Sequence, residues 1–129
     1  MLPPAFRMRR RAEFTSAVRR GRRAGRPNIV VHLLCRDEID AQPLVGFIVG
    51  RVVGNAVVRN KVRRRLRHLV ATHLARLPRG SLLVVRANPK AAAAHSADLA
   101  ADLDSALDRL LRQRPPTRGG GVRMDEGRR

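Results

Sequence analysis

Apolar residues recur every three or four positions in three stretches of the chain, which is the spacing of amphipathic helices. The first stretch covers residues 11–20. The second covers residues 56–77, where Asn55 is the predicted N-cap. The third begins at residue 96 or 98 and reaches about residue 112. The pattern therefore predicts three helices, and the second of them is the longest.

Shorter apolar runs, rich in Val, Leu and Ile, predict strands between these helices. They cover residues 29–35, 44–53 and 81–86, and a short extra strand is expected near residues 22–26. Elements in this order predict an α+β fold. More closely, we expect an α/β two-layer sandwich in which three helices pack against a small mixed sheet of about four strands.

The chain is long enough for one domain with one modest core. Its 129 residues are 43% hydrophobic but include no Trp or Tyr, so the core must be mainly aliphatic. From residue 113 the composition changes to Pro-Pro, Gly-Gly-Gly and scattered Arg, which is typical of a flexible segment. We therefore expect a single domain over residues 1–112 and a flexible basic tail over residues 113–129.

Positive charge is the strongest compositional signal. The chain has 28 Lys and Arg against 10 Asp and Glu, for a formal net charge of +18. A net charge of about 2 to 8 is sufficient to keep a small domain soluble. Because an excess of this size repels itself in a compact chain, it indicates a polyanionic partner.

The charge is also unevenly distributed. Residues 41–97 contain no Asp or Glu, whereas four aspartates crowd into the last predicted helix. This asymmetry predicts one basic surface and one mildly acidic surface. The cations of the acid-free segment are Arg51, Arg59, Lys61, Arg63, Arg64, Arg65, Arg67, Arg76, Arg79, Arg86 and Lys90.

The predicted helix over residues 56–77 has an apolar face and a polar face without any acid. Like charges four positions apart destabilise a helix by a few tenths of a kcal/mol per pair, and bound phosphates would reverse that effect. We therefore interpret the polar arc as a nucleic-acid-binding face rather than a solvated surface or a membrane- or protein-binding face. Arg59 lies at its boundary, and the arc itself carries Asn60, Lys61, Arg63, Arg64, Arg65, Arg67 and His68.

Several other classes of protein do not fit the sequence. The single cysteine, Cys35, excludes an internal disulfide and a cysteine-based zinc cluster. No apolar stretch approaches the ~18 residues of a membrane span, and the start is too short for a signal peptide, so we expect a cytoplasmic protein. A self-sufficient nuclease would need acid–base or metal-binding side chains, and the four His residues have no suitable spacing.

Residues 54–67 resemble the signature of the ribonuclease P protein family, in which Arg-Asn opens a strongly basic helix. They read Gly-Asn-Ala-Val-Val-Arg-Asn-Lys-Val-Arg-Arg-Arg-Leu-Arg. The basic start leading to Phe14 and Gly21, the strand before Gly46 and the strand ending in Arg86 fit the same pattern. The resemblance spans residues 7–111.

This resemblance implies a ribosomal-protein-like fold with a left-handed β-α-β crossover, a rare connection. It also implies a function, the protein subunit of the endoribonuclease that removes the 5′ leader from precursor tRNA. In this family a catalytic RNA with bound Mg²⁺ cleaves the phosphodiester, while the protein binds that RNA and the single-stranded leader. The implied partners are therefore the catalytic RNA and the leader. No catalytic residue, metal ligand, membrane contact or obligate protein partner is assigned to this chain.

Two sets of site residues follow from the resemblance. A leader-binding cleft between the sheet and the first helix corresponds to Phe14, Val18, His32 and Arg51. Val18 and His32 stand where family members often carry aromatic residues, and stacking of a base on an aromatic ring contributes about 1–3 kcal/mol. The residues implied for binding the catalytic RNA are Arg59, Asn60, Lys61, Arg63, Arg64, Arg65 and Arg67.

Simpler interpretations of the same residues stay open at this point. Phe14 could be a core residue, and His32 could be a buried histidine with satisfied hydrogen bonds. Asn55 and Asn60 could be simple helix caps. The basic helix alone is also compatible with a general RNA-binding protein of the ribosomal or nucleoid type that has no role in tRNA processing.

Overall fold

The computed structural model of the chain describes residues 2–37 and 40–112, which form three α-helices and one four-stranded sheet. This confirms the predicted α+β class; the predicted tail over residues 113–129 lies outside the described residues. Single 3-10 turns cover Pro4–Phe6, Leu74–Arg76 and Pro89–Ala92. In chain order the elements are α1 Arg11–Arg20, β1 Arg22–Gly25, β2 Ile29–Cys35, β3 Leu44–Ile48, α2 Ala56–Ala71, β4 Ser81–Ala87 and α3 Ser96–Arg112.

The strand predicted over residues 44–53 is shorter than expected. It ends at Ile48 because the chain then turns, with the amide of Val53 donating to the carbonyl of Gly50 at 3.1 Å. Gly54 follows with a φ of +157°, a backbone conformation that side chains disfavour. The apolar run therefore continues past the strand as a turn that buries Val49 and Val53, exposes Arg51 and Val52, and leads directly into α2.

The helix predicted over residues 56–77 ends earlier, at Ala71. There the hydroxyl of Thr72 donates to the carbonyl of Leu69 at 2.7 Å, and the Thr72 amide bonds to the same carbonyl at 3.2 Å. Such three-residue bonds tighten the last turn of a helix and satisfy its terminal carbonyls. Leu77 is still buried, so the apolar pattern continues through an irregular segment.

The four strands lie in the order β1-β2-β4-β3. The β1–β2 and β2–β4 pairs are antiparallel, whereas β3 and β4 are parallel and are connected through α2. The left-handed sense of that connection stays a prediction. Beyond β3, the N-terminal segment adds an isolated parallel bridge between Arg7 and Val45. One row across the sheet contains Arg23, His32, Val84 and Gly46 as successive partners.

Helices cover both faces of this sheet. On one face, α2 and α3 form the main aliphatic core, to which α2 contributes Val62, Leu66 and Val70. On the other face, α1 packs over a smaller cluster that contains Met8, Ala17 and the β4 residues Leu82 and Val84. Full burial of an aliphatic side chain contributes about 1.5–3 kcal/mol, so the main core fixes the position of α2.

Three of the four aspartates of α3 have partners away from the polar arc of α2. Asp102 accepts a hydrogen bond from the amide of Asn28 at 2.9 Å. Asp104 and Asp108 both form ion pairs with Arg76, the former at 3.2 Å. The acidic side of the molecule is therefore engaged in holding α3 to its neighbours.

Candidate RNA-binding surfaces

The polar arc of α2 is a surface of cations without carboxylate partners. Within the described residues, none of its arginines or Lys61 forms an ion pair with Asp or Glu. Arg65 donates to the backbone carbonyl of Ala94 at 3.2 Å, and Arg63 donates to the side-chain oxygen of Asn60 at 3.2 Å. Asn60 thus orients an arginine, while Asn55 caps the helix by accepting from the amide of Val58 at 2.9 Å.

The arc has two flanks. On the flank towards α3, Lys61, Arg64, Arg65 and His68 line a groove of about 300 Å³ together with Leu69 and Ser96. On the flank towards β3, Arg63 and Arg67 line a cavity of about 190 Å³ with the N-terminal segment and α1. Guanidinium groups suit both places because their planar forks bind phosphate oxygens in pairs.

The second surface is the cleft between α1 and the sheet. Phe14 and Val18 of α1 are half-buried and pack against the cluster formed with Leu82 and Val84. The structure therefore brings Phe14 and Val18 to the same sheet face as His32, which lies opposite Val84 in the strand register. Phe14 is partly core and partly accessible, so it can serve both as packing residue and as stacking platform.

His32 occupies the floor of this cleft and is only 5% exposed. Neither of its ring nitrogens has a hydrogen-bond partner among the described residues. Burial lowers the pKa of His32, and the neighbouring charges of Arg23 and Arg86 lower it further. The imidazole is therefore neutral at neutral pH and, contrary to the simpler interpretation, its hydrogen bonds are not satisfied within the described chain.

Arg51, the fourth predicted cleft residue, lies outside the sheet. It is exposed in the turn that follows β3, and its side chain forms no hydrogen bond or ion pair within residues 2–37 and 40–112. Sequence reasoning missed Arg23 and Arg86, which flank His32 on the same face of the sheet. The period of two along β4 would have placed Arg86 on the face of Val84, but the partner of Arg23 depends on strand register.

No described group of three or more His, Cys, Asp or Glu side chains could hold a metal ion. A larger cavity of about 430 Å³ lies near the start of α1, but Glu13 and Asp37 contribute to its lining, which makes it less suited to phosphate. None of the helices in the described ranges combines the length and apolar character needed to cross a membrane.

Sequence relatives identify the family. The ribonuclease P family model matches residues 2–111. The ribonuclease P protein component of Streptomyces griseus is 55% identical over 130 residues, which covers 95% of this chain and 100% of that protein. The same component from a Nocardioides species is 55% identical over 111 residues, covering 85% and 95% of the two chains.

Solved structures agree with these relatives. The RNase P protein of Staphylococcus aureus superposes with a TM-score of 0.72 at 25% identity, over 81% of this chain and 94% of that one. The RNase P protein from Thermotoga maritima, at 24% identity, shares the fold with a TM-score of 0.67 over 82% and 96%. Sequence and fold thus lead to one conclusion: the chain belongs to the ribonuclease P protein family and is a protein subunit of this tRNA-processing endoribonuclease.

Proposed function

We propose that the two surfaces divide the RNA-binding work of the subunit. The polar arc of α2 binds the catalytic RNA, and the cleft between α1 and the sheet binds the single-stranded leader of precursor tRNA. The cleft residues are Phe14, Val18 and His32, with Arg51 at its margin. The residues of the arc are Arg59, Asn60, Lys61, Arg63, Arg64, Arg65 and Arg67.

One observation carries the first half of this proposal. Asp102, Asp104 and Asp108 of α3 bond to Asn28 and Arg76, and no guanidinium group of the α2 arc forms an ion pair with a carboxylate in the described structure. Phosphates of a folded RNA supply the missing negative charge, and each neutralised phosphate releases counterions. The rigid backing of α2 by Val62, Leu66 and Val70 keeps these cations in a fixed array.

The leader cleft combines one aromatic ring with unpaired polar groups. Phe14 offers a face on which a base can stack. The neutral imidazole of His32 lies on the same face of the sheet, with both ring nitrogens buried and without a partner in the described chain. Arg23 and Arg86 lie beside it and can bind the phosphates of the same strand. Val18 and His32 stand where family members often carry aromatic residues, so binding in this cleft should depend more on charge than on stacking.

Cleavage itself belongs to the RNA of the holoenzyme. Magnesium, held mainly by that RNA, would supply the chemistry at the phosphodiester. The subunit contributes by positioning the substrate and by neutralising phosphate charge near the reacting strand. We further infer that the protein acts in the cytoplasm with its RNA partners. The family match over residues 2–111 supports a single RNA-binding domain over residues 1–112.

A reconstitution experiment tests this division. The purified protein is mixed with a bacterial ribonuclease P RNA and a precursor tRNA at low magnesium. We expect site-specific 5′ cleavage to be stimulated, with greater stimulation for a substrate with a leader of several nucleotides than for one with a single-nucleotide leader. Generic RNA binding without stimulation would contradict the proposal, as would equal stimulation of both substrates.

A further inference from the structure

The edge of the sheet at β3 is a place where both RNA-binding surfaces meet. The N-terminal segment runs beside β3, held by the bridge between Arg7 and Val45 and by a 2.7 Å hydrogen bond from the amide of Met8 to the Val45 carbonyl. Phe14 of α1 approaches this edge from one face of the sheet. Arg63 and Arg67 of α2 approach it from the other. The cavity of about 190 Å³ between these elements therefore spans the edge.

Three guanidinium groups line this cavity, those of Arg7, Arg63 and Arg67. No carboxylate lines it, and none of the three forms an ion pair within the described ranges. Arg7 uses one nitrogen to donate to the carbonyl of Leu2 at 3.3 Å, but its Nε is buried without a partner. Burial lowers the pKa of Arg67, and the charges of Arg7 and Arg63 lower it further.

Three guanidinium groups that face one cavity, one of them with a buried unpaired donor, form a site suited to an anion. We propose that Arg7, Arg63 and Arg67 form one phosphate-binding site for an RNA phosphodiester at the β3 edge of the sheet. The cavity has about six times the ~30 Å³ that a water molecule occupies in the liquid, so a phosphate fits with some of its hydration. Phe14 and Phe47 supply an apolar wall for the attached sugar or base.

This site rests on the proposed function and deepens it, because it connects surfaces that the two halves of that proposal treat separately. A strand lying in the cleft on the α1 face can pass around the β3 edge to the arginines of α2 on the opposite face. The phosphate at the turning point belongs either to the leader or to the catalytic RNA. Both sources present the same chemical group, and the experiment distinguishes them.

Arg7→Gln and Arg67→Gln, alone and combined, test the site, with Arg9→Gln as a matched control. Arg9 is an exposed cation two residues from Arg7 and does not line the cavity. Each variant of the site is expected to weaken RNA binding on the order of tenfold, the effect of one charge-assisted contact. Arg7 and Arg67 share one phosphate in this site. The loss of affinity in the double variant should therefore be at least about threefold smaller than the product of the two single losses. The Arg9 and Arg67 effects should multiply.

Two binding measurements identify the source of the phosphate. If it belongs to the leader, Arg7→Gln weakens holoenzyme binding of leader-bearing precursor tRNA and leaves leaderless tRNA and the catalytic RNA unaffected. If it belongs to the catalytic RNA, Arg7→Gln weakens binding of that RNA alone and lowers its salt dependence by about 0.7–0.9 of a logarithmic unit. Either pattern supports the site.

The inference is overturned if Arg7→Gln matches Arg9→Gln in both measurements and shows no coupling to Arg67. In that case a double variant on the far flank of α2, Lys61→Ala with Arg64→Ala, distinguishes the proposed RNA-binding function of α2 from the proposed edge site. Loss of RNA binding there preserves the proposed function without the edge site; unchanged binding refutes both. Circular dichroism verifies folding, and Arg7→Lys, which keeps the charge but not the fork, should recover part of the affinity.

Discussion

The ring of Phe14 lies directly against the backbone of Gly46, so that α1 and β3 approach each other where no side chain intervenes. A Cβ atom at Gly46 would lie 2.5 Å from Cζ of Phe14 and 3.2 Å from the sulfur of Met8. The close approach holds α1 against the sheet beside the cleft between them. It also keeps the aromatic ring beside the cavity at the sheet edge.

Gly46→Ala should therefore destabilise the protein. The added methyl group must displace the ring or move α1, and overpacking of this kind costs about 1–3 kcal/mol. Urea denaturation measures the change in the free energy of unfolding. Gly25→Ala is the control, because a Cβ there meets nothing within 4 Å, and its effect should stay within about 0.5 kcal/mol. Equal effects of the two substitutions would contradict the packing described here.

His32 should make stability depend on pH. Its pKa in the folded state lies below the ordinary value of 6.5, so the unfolded chain takes up the proton first as the pH falls. The contribution of the neutral His32 imidazole to the free energy of unfolding is therefore complete above pH 6.5 and decreases as the pH falls below that value. Denaturation of wild type and His32→Leu from about pH 7.5 to about pH 5 should show a smaller decrease for the variant.

His73 contributes with the same sign, because burial and the charge of Arg76 lower its pKa while Asp104 and Asp108 act in the opposite direction. His73→Gln should thus remove a further part of the decrease. If the free energy of unfolding of the His32 variant decreases as steeply with falling pH as that of wild type, the fold does not hold the imidazole neutral.

Lys61 and Arg64 should contribute to RNA binding without contributing to stability. Both are exposed and have no partner among the described residues. Replacing both by Ala should lower the slope of log affinity against log salt by up to about two units, one for each lost phosphate contact. Arg76→Ala removes a cation that is already paired with Asp104 and Asp108, and its slope should not change. A slope that is equally affected in both variants would exclude a specific α2 surface.

Asn55 should stabilise the start of α2. Its side-chain oxygen accepts from the amide of Val58, so Asn55→Ala is expected to cost about 1 kcal/mol of unfolding free energy. Asn60→Ala is the matched control, because Asn60 is exposed and its side chain bonds, within residues 2–37 and 40–112, only to the side chain of Arg63. Thermal denaturation of both variants decides the matter; a larger loss at Asn60 would contradict the cap assignment.

The elements that the sequence predicted best are those whose apolar periodicity can be seen within a single segment. The apolar spacing of α2 placed Val62, Leu66 and Val70 on the buried side, and Asp98, Asp104 and Asp108 of α3 are exposed, as a mildly acidic surface requires. A helix end set by the hydroxyl of Thr72, by contrast, leaves no mark in the apolar pattern, which continues to Leu77. The predicted helix was too long for that reason.

The parts that could not be predicted depend on contacts between distant segments. Nothing in the sequence around Arg7 indicates that it lies beside Val45, because a single bridge needs no periodic pattern. The surroundings of His32 depend on which strands flank β2, and the strand order β1-β2-β4-β3 is a property of the whole chain. The cleft residues therefore stay a prediction from the resemblance, while the position of Arg23 beside His32 and the edge cavity emerged only from the fold.

The central position of β4 has a consequence for how the subunit is made. In the sheet β4 lies between β2 and β3, so these two earlier strands do not pair with each other. Both must wait for β4 while the chain is being synthesised. Only when residues 81–87 have left the ribosome can the sheet close, and with it the floor beneath Phe14 and the edge beside Arg7. A nascent chain that has not yet reached β4 therefore already contains the basic helix α2, whose cations attract RNA. It does not yet contain the complete sheet that forms one wall of the cleft.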